Sequence, residues 1–595
     1  MLTHLDIPGR LGATPPLSDT RGRKNGDNIS VARPTRLDLA SSINAPSPRW
    51  RSPALIVLLL AASAAAFAPA LHDAFLNWDD DRNFVENQGF RGVGLAQLRW
   101  AWSTYHLGVW QPLAWLLLGL EFVLFGLNPA GYHAVSIAIH ALNVVLVYRL
   151  GRRLIARSMR TLPPAVIDSS AGAAALLFAI HPLRVEAVAW VSCQPYLPAI
   201  TCYLLAVWVY LNGRWEAPPR RRRTLLVTLG LYMLAIGFKA VAVSLPAILL
   251  LLDWYPLGRM RDGRSLRRCL VEKLPFLAIA AAASYWAMQA KDFTHSREPF
   301  HESYPVERIS HAALGIWFYL GKTLWPAKLI AFYRLPEDLT HLTTPAAIAM
   351  LAVIGLTFGL WLIRRRTKAP LAAWLSYLVI LLPNTGLIQI SRQLAADRYG
   401  YLALVGLMIL LGAGFAWMIQ RLHQVGMVRR AIAGSLFAGI AILLVVRSRE
   451  QCLMWADSVT LWKATLDIDP DCAVGCCNLG EALVKRGEFC EASRHLSRAI
   501  EIDPRFAFAY ANLGVVLCQA RRFQEAADFG EQAVSIPDGL SGLDLARAHA
   551  MLGQAYAGLR RDREAWRHTR IARDMGLVEA QKMIDYLSQF SKERG

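Results

Sequence analysis

From residue 53 onward the chain alternates long apolar runs with short arginine-rich segments, a pattern set by bilayer thickness. Eleven runs have the character of spanning helices, near 53–71, 130–148, 171–187, 196–212, 224–238, 240–253, 273–290, 345–363, 370–388, 400–419 and 430–446. Two more apolar stretches, 112–127 and 312–325, are broken by Glu121 and Lys322 and are dense in aromatics. They are expected to lie along the outer membrane face. Residues 1–52, rich in Pro, Arg, Ser and Asn without periodicity, are expected to form a disordered basic arm.

After residue 450 the pattern changes to a repeat. Asn478-Leu479-Gly480 returns as Asn512-Leu513-Gly514, and Ala492 and Ala499 return as Ala526 and Ala533, all 34 residues later. Pro470 and Pro504 keep the same offset, which implies a half-repeat from about Asp457. A third copy, with Leu552-Gly553, Ala565 and Ala572, follows a five-residue insertion, and 578–590 is expected to cap the stack. Small residues at this spacing let paired helices approach, as in a tetratricopeptide solenoid. The expected fold class is all-α: a polytopic helix bundle over 53–450, then a soluble repeat domain over 451–595.

Charge fixes the orientation. Residues 451–595 hold 18 basic and 20 acidic side chains, so the net +20 of the chain resides entirely in the first 450 residues. There the basic clusters sit between apolar runs, in 149–160, 214–223, 259–273, 364–368 and 421–430. Placing all of them with the N-terminal arm in the cytoplasm requires an odd number of spans and puts the repeats outside. Topology therefore accounts for the excess, and no nucleic-acid partner is expected. A mean hydropathy of +0.30 and 19 Trp agree with an extensive membrane boundary. The nine cysteines have neither zinc spacing nor an even count, and are expected to be small apolar filler.

The first outer segment, Asn77-Trp78-Asp79-Asp80-Asp81-Arg82-Asn83, sets three carboxylates side by side just after a span. Such a group could supply a general base, hold a divalent ion such as magnesium or manganese, or be a solvated acidic turn. In the second, His181-Pro182-Leu183-Arg184-Val185-Glu186, Arg184 and Glu186 either pair or serve a site beside Asp80. Arg392, Arg398 and Lys239 face the same side, where they could bind phosphate or extend their charged ends to the interface. Asn384, Asp397 and Tyr399 accompany them. His133, His140 and Asn143 share one helical face and are expected to hydrogen-bond between helices. No phosphate-binding glycine loop, HExxH or nucleophile elbow is present.

Trp78-Asp79-Asp80, Pro112-Leu113, Gly126-Leu127-Asn128-Pro129-Ala130-Gly131-Tyr132-His133, His181-Pro182 with Glu186-Ala187-Val188, Leu245-Pro246 through Leu252-Asp253-Trp254, and Asp397-Arg398-Tyr399 follow in order before the repeats. This series resembles the transmembrane-and-tetratricopeptide-repeat protein O-mannosyltransferases and their bacterial relatives, within the lipid-phosphate-sugar-dependent (GT-C) glycosyltransferases. The resemblance implies inverting transfer from a polyprenyl-phosphate sugar to a hydroxyl outside the cytoplasm. It implies Asp80 or Asp79 as base, Arg398 and Arg392 at the donor phosphate, where Lys239 could join them, and Glu186 on the acceptor or sugar side. His181, Arg184, His133 and Tyr399 would line the substrates, and the repeats would receive an acceptor protein or partner. The chain departs from the family's usual residues at Arg184, at Gln194-Pro195-Tyr196 and at Ala240 after Lys239. A bacterial inner membrane with periplasmic repeats is the expected location. A non-catalytic scaffold and a polyprenyl-lipid transporter are the competing expectations.

Overall fold

The computed structural model describes residues 51–215, 221–293, 305–335, 343–387, 393–422, 426–537, 539–540 and 542–593. The basic arm lies outside these residues up to position 50. Within them the chain is almost wholly helical, with one short antiparallel ribbon in which Tyr333 faces Ala395 and Arg334 faces Gln393.

The chain is a multi-pass membrane protein. A helix occupies each of the eleven expected spans, but their lengths differ. Six are long and apolar enough to cross as single rods: Pro53–His72, Pro129–Ser158, Val191–Trp215, Gly263–Lys291, Thr344–Ile363 and Met427–Met454. Two more are bent pairs, Pro164–Ala179 with Pro182–Ala189 at 62° and Asp397–Ala403 with Val405–Arg421 at 55°. The other three are Arg221–Phe238, which opens on three arginines, and the short Ala240–Trp254 and Ala369–Asn384. Both bends carry residues of the outer motifs, Arg184 with Glu186 and Arg398 with Tyr399.

Small residues set the closest helix approaches. A Cβ on Gly412 would stand 2.8 Å from both the Ala174 methyl and the Ser170 carbonyl, so Val405–Leu422 can rest directly on Pro164–Ala179. Polar residues tie the same bundle together. His140 bridges the Tyr401 hydroxyl (2.7 Å) and the Ala179 carbonyl (3.0 Å), while Asn143 receives Thr201 Oγ1 at 2.8 Å and donates to the Leu197 carbonyl.

The bundle has two chemically different ends. At one, the basic segments meet: Arg214 and Arg259 both pair with Glu272, Ser158 bonds Tyr255, and Lys368 lies over Trp254. At the other stand the acidic loop, Ser192, Lys239 and Arg398. This separation agrees with the orientation expected from the arginines.

Beyond Met454, Ser458–Ile468 forms the half-repeat, capped by Asp457, whose carboxylate accepts the N–H groups of Val459 and Thr460. Three helix pairs follow, Ala473–Lys485 with Phe489–Ile502, Ala507–Gln519 with Phe523–Ser535, and Gly542–Gly558 with Asp562–Asp574, then the capping helix Ala580–Glu593. Gly480 shows why the repeat needs its glycine, since a Cβ there would meet Leu496 Cγ at 2.6 Å. Cys472, Cys476, Cys477 and Cys518 are buried in this packing as free thiols.

Candidate active site

The first span ends in a turn at Ala68–His72, and the chain then enters the acidic loop. Asp80 is fully buried. Its Oδ1 accepts the Ser192 N–H at 2.9 Å and the Ser192 hydroxyl at 2.5 Å, and its Oδ2 accepts the Leu76 N–H at 3.0 Å. Asn83 donates to the same Ser192 hydroxyl at 2.9 Å. Asp80 thus ties the first outer loop to the second.

Asp81 faces elsewhere, with Oδ2 3.0 Å from Lys485 Nζ and Oδ1 accepting the Arg82 N–H. Asp79, between the two, has φ +71°, a left-handed conformation that carries strain for a residue with a Cβ. Its half-buried carboxylate has no hydrogen-bond or ion-pair partner among the described residues. The three carboxylates therefore do not converge. Among the described residues, no cluster of three His, Cys, Asp or Glu side chains could hold a metal ion such as magnesium or manganese.

Burial raises the Asp79 pKa above the ordinary carboxylate range. Arg82, Arg398 and Lys239 oppose the shift and Asp81 adds to it. Burial likewise pushes Asp80 up to about 7, against the pull of its Ser192 and Leu76 hydrogen bonds. Lys239 is lowered to about 8 by the same loss of water, and its Nζ donates to Gln111 Oε1 at 2.8 Å over the Tyr196 ring. Asp79, Lys239 and Arg398 are thus within electrostatic reach of one another, brought from three separate parts of the chain.

Arg398 is held from two sides. Glu186 forms an ion pair with its guanidinium and accepts its backbone N–H at 2.7 Å, while the guanidinium rests over Trp190 (5.2 Å) and Tyr399 (4.9 Å). The turn before it is fixed by Tyr333, which donates to Asp397 at 3.0 Å, and by the Tyr319 hydroxyl, which bonds both backbone groups of Ala396. Glu186 therefore serves Arg398, whereas Ser192 serves Asp80.

The other expected site residues lie deeper. Arg184 is fully buried, donating to the Gly400 carbonyl at 2.9 Å and lying over the Phe178 ring at 4.6 Å. His181 bonds the Thr323 carbonyl through Nε2 and accepts the Leu183 N–H through Nδ1. His133 is 1% exposed, in the long helix Pro129–Ser158. Among the described contacts, Arg184 and His181 act as struts behind the Asp397–Tyr399 turn and the second outer loop. Arg392 lies outside the described residues.

Sequence reading missed Ser192, Gln111 and Tyr333. Nothing in a pattern marks them, since each is one polar group whose partner lies 64 to 128 residues away.

The repeats close over this loop. Asn77 donates its N–H to Ser458 Oγ (2.9 Å) and its side chain to the Asn478 carbonyl (2.8 Å), and it accepts from Trp462 Nε1 at 2.9 Å. Trp78 meets Trp462 edge-on at 5.2 Å. Arg82 forms a two-pronged pair with Asp544, and Arg547 pairs with Glu86 at 2.6 Å. Arg334, at the ribbon, binds both oxygens of Asp469.

A family model described as "TPR repeat" matches residues 480–519. Protein O-mannosyl-transferase Tmtc1 of Drosophila melanogaster is 26% identical over 534 residues, covering 73% of this chain and 60% of that protein. Protein O-mannosyl-transferase Tmtc3 of the same organism is 23% identical, covering 66% and 48%. Protein O-mannosyl-transferase F38B6.6 of Caenorhabditis elegans is 22% identical, covering 76% and 64%. The chain thus spans less than two thirds of the length of each of these curated relatives.

Proposed function

We propose that this chain, which belongs to the transmembrane-and-tetratricopeptide-repeat family of protein O-mannosyltransferases, moves a sugar from a polyprenyl-phosphate donor to a protein hydroxyl. The sugar is mannose, and the acceptor is a serine or threonine of a protein outside the cytoplasm. The site faces that side, which in a bacterium is the periplasmic face of the inner membrane.

The observation that carries this reading is Asp79. It is a carboxylate without a partner among the described residues, in a strained conformation and within reach of two cations drawn from other parts of the chain. Strain of this kind clusters where chemistry requires it. In the transfer, Asp79 takes the acceptor's O–H proton as the hydroxyl oxygen attacks the anomeric carbon. The bond from that carbon to the phosphate oxygen breaks on the opposite face, and its electron pair leaves with the lipid phosphate. One displacement inverts the anomeric centre. Arg398 and Lys239 stabilise the charge that develops on the departing phosphate, an electrostatic contribution that is largest where water is excluded. The raised Asp79 pKa suits a base near neutral pH, because a more basic carboxylate accepts the proton more readily. Asp80 and Glu186 orient the loop and the arginine.

The test is sugar transfer by purified protein in lipid, offered polyprenyl-phosphate mannose and other lipid-linked sugars in parallel. Turnover lost in Asp79→Asn supports the reading. No turnover with any donor, in folded protein, rejects it in favour of a non-catalytic scaffold.

A further inference from the structure

Just beyond Asp79 the acidic loop carries charge of both signs, at Asp81 and Arg82, and the repeats match each one separately. Lys485, closing the first helix of the first complete repeat, takes Asp81 at 3.0 Å. Asp544, opening the first helix of the third, takes Arg82 with both oxygens, at 2.9 and 3.1 Å. The Arg82 guanidinium also lies 5.9 Å from the Phe508 ring, contributed by the repeat between them. All three repeats thus bear on two adjacent loop residues, and Asp79 is left as the loop carboxylate without a partner among the described residues.

Arg82 stands three positions from Asp79, and among the charges around that carboxylate it exerts the largest downward pull. A two-pronged guanidinium–carboxylate contact is a strong and directional form of ion pair. An Arg82 released from Asp544 would find Asp79 as the nearest unpartnered carboxylate on its own loop. Pairing there would lower the proton affinity of the base and cover the oxygens that must meet the acceptor.

We propose that Asp544 is a positioning residue for the transfer: it holds Arg82 on the repeat array and so keeps Asp79 unpaired and open to the acceptor. This rests on the transferase reading, with Asp79 as base. It gives the solenoid a part in the reaction centre beyond receiving a protein, because the third repeat decides which carboxylate Arg82 binds.

The groups that face the pair are few. Arg547 lies 3.6 Å from Asp544 and is itself engaged by Glu86 at 2.6 Å. His106 Nε2 stands 3.2 Å from the Arg82 carbonyl. Around Asp79 are Arg82, Arg398, Lys239, Asp81 and Asp80. Removing the Asp544 charge therefore leaves Arg82 with Asp79 as its alternative.

The test uses the full chain in lipid and compares Asp544→Asn, Asp544→Glu, Arg82→Gln and the Asp544→Asn/Arg82→Gln double variant, with Asp79→Asn as the inactive reference. Asp544→Asn should lower kcat at least tenfold with little change in the acceptor KM, and should move the acid limb of the pH–rate profile to lower pH. Asp544→Glu should recover part of the rate. The double variant should return to the rate of Arg82→Gln alone, since no arginine remains to occupy the base. A contact that merely held the domains together would leave the double variant as slow as Asp544→Asn. That result, or an Asp544→Asn enzyme equal to wild type, overturns this proposal while the transferase reading stands. A wild-type protein without turnover on any lipid-linked sugar overturns both.

Discussion

The carboxylate of Asp80 accepts the backbone N–H of Ser192 at 2.9 Å, joining two outer loops that lie 112 residues apart in the chain. Its neighbour Asp79 makes no such bond, so adjacent aspartates do different work. Asp79→Asn should keep the wild-type melting temperature and lose sugar transfer. Asp80→Asn exchanges one buried acceptor oxygen for an amide nitrogen and leaves a Ser192 or Leu76 donor unmet, a cost of about 1–3 kcal/mol. It should melt several degrees lower in a thermal scan and lose activity with stability. Equal melting curves for the two variants would contradict this division.

Glu186 is assigned to Arg398, so its loss should register in donor binding and phosphate departure. Glu186→Gln keeps the shape, retains an acceptor for the Arg398 N–H and removes the charge that orients the guanidinium. Transfer should fall at least tenfold, most of it in kcat, since stabilisation realised only in the transition state appears there. The acid limb of the pH–rate profile, which the proposed mechanism assigns to Asp79, should stay near its wild-type position. A large displacement of that limb would return Glu186 to the role of base.

Asp73, where the first span gives way to the acidic loop, has one oxygen buried without a hydrogen bond, and burial followed by the nearby Asp457 raises its pKa to about 7. The unfolded chain releases this proton near 3.8, whereas the folded protein keeps it to about 7. Between those values the folded state binds more protons, so stability falls as pH rises through the window. Asp80, also raised to about 7, contributes with the same sign. Asp73→Asn should therefore flatten the decline in melting temperature between about pH 4 and 7 and raise stability at the upper end. An unchanged slope would mean that Asp73 is ionised in the folded protein.

The bundle and the repeats were legible because both are periodic. Apolar length marks each span, and glycine and alanine at a 34-residue offset mark the solenoid. The bent pairs were less visible. The run near 400–419 is continuous in apolar content, yet it turns sharply after Ala403, and the run near 171–187 bends between Ala179 and Pro182, at the start of its outer motif. Asp79, Lys239 and Arg398 were legible as types, as charges at the outer ends of spans. Their division of labour was not, because it depends on lone partners. Ser192 singles out Asp80, and Asp544 and Lys485 engage the loop from repeats about 400 residues and more away. Arg184 carried a functional expectation from its position in a motif, yet it is fully buried against Gly400.

The end of the bundle opposite the active site makes a prediction of its own. Asp253 is fully buried and receives the Tyr210 hydroxyl, Arg259 at 2.6 Å and Lys273 at 2.5 Å, while Glu272 binds Arg259 and Arg214. Asp253→Asn removes the charge that Lys273 and Arg259 share and leaves the buried Lys273 ammonium with only the Glu272 carboxylate, 3.8 Å away. Breaking a buried pair in this way costs about 3–5 kcal/mol, because the remaining charge keeps its desolvation penalty. The variant should melt markedly lower, and much of its yield should be lost on extraction from the membrane. The fraction that stays folded should transfer sugar at the wild-type rate, since Asp253 belongs to the basic end and touches none of Asp79, Lys239 or Arg398. Asp253→Asn/Lys273→Met removes both charges of the pair and should recover part of the stability, because no buried ammonium is then left without its close carboxylate. A double variant no more stable than the single would show that Tyr210 and Arg259, rather than the buried lysine, set the demand for a carboxylate at this position.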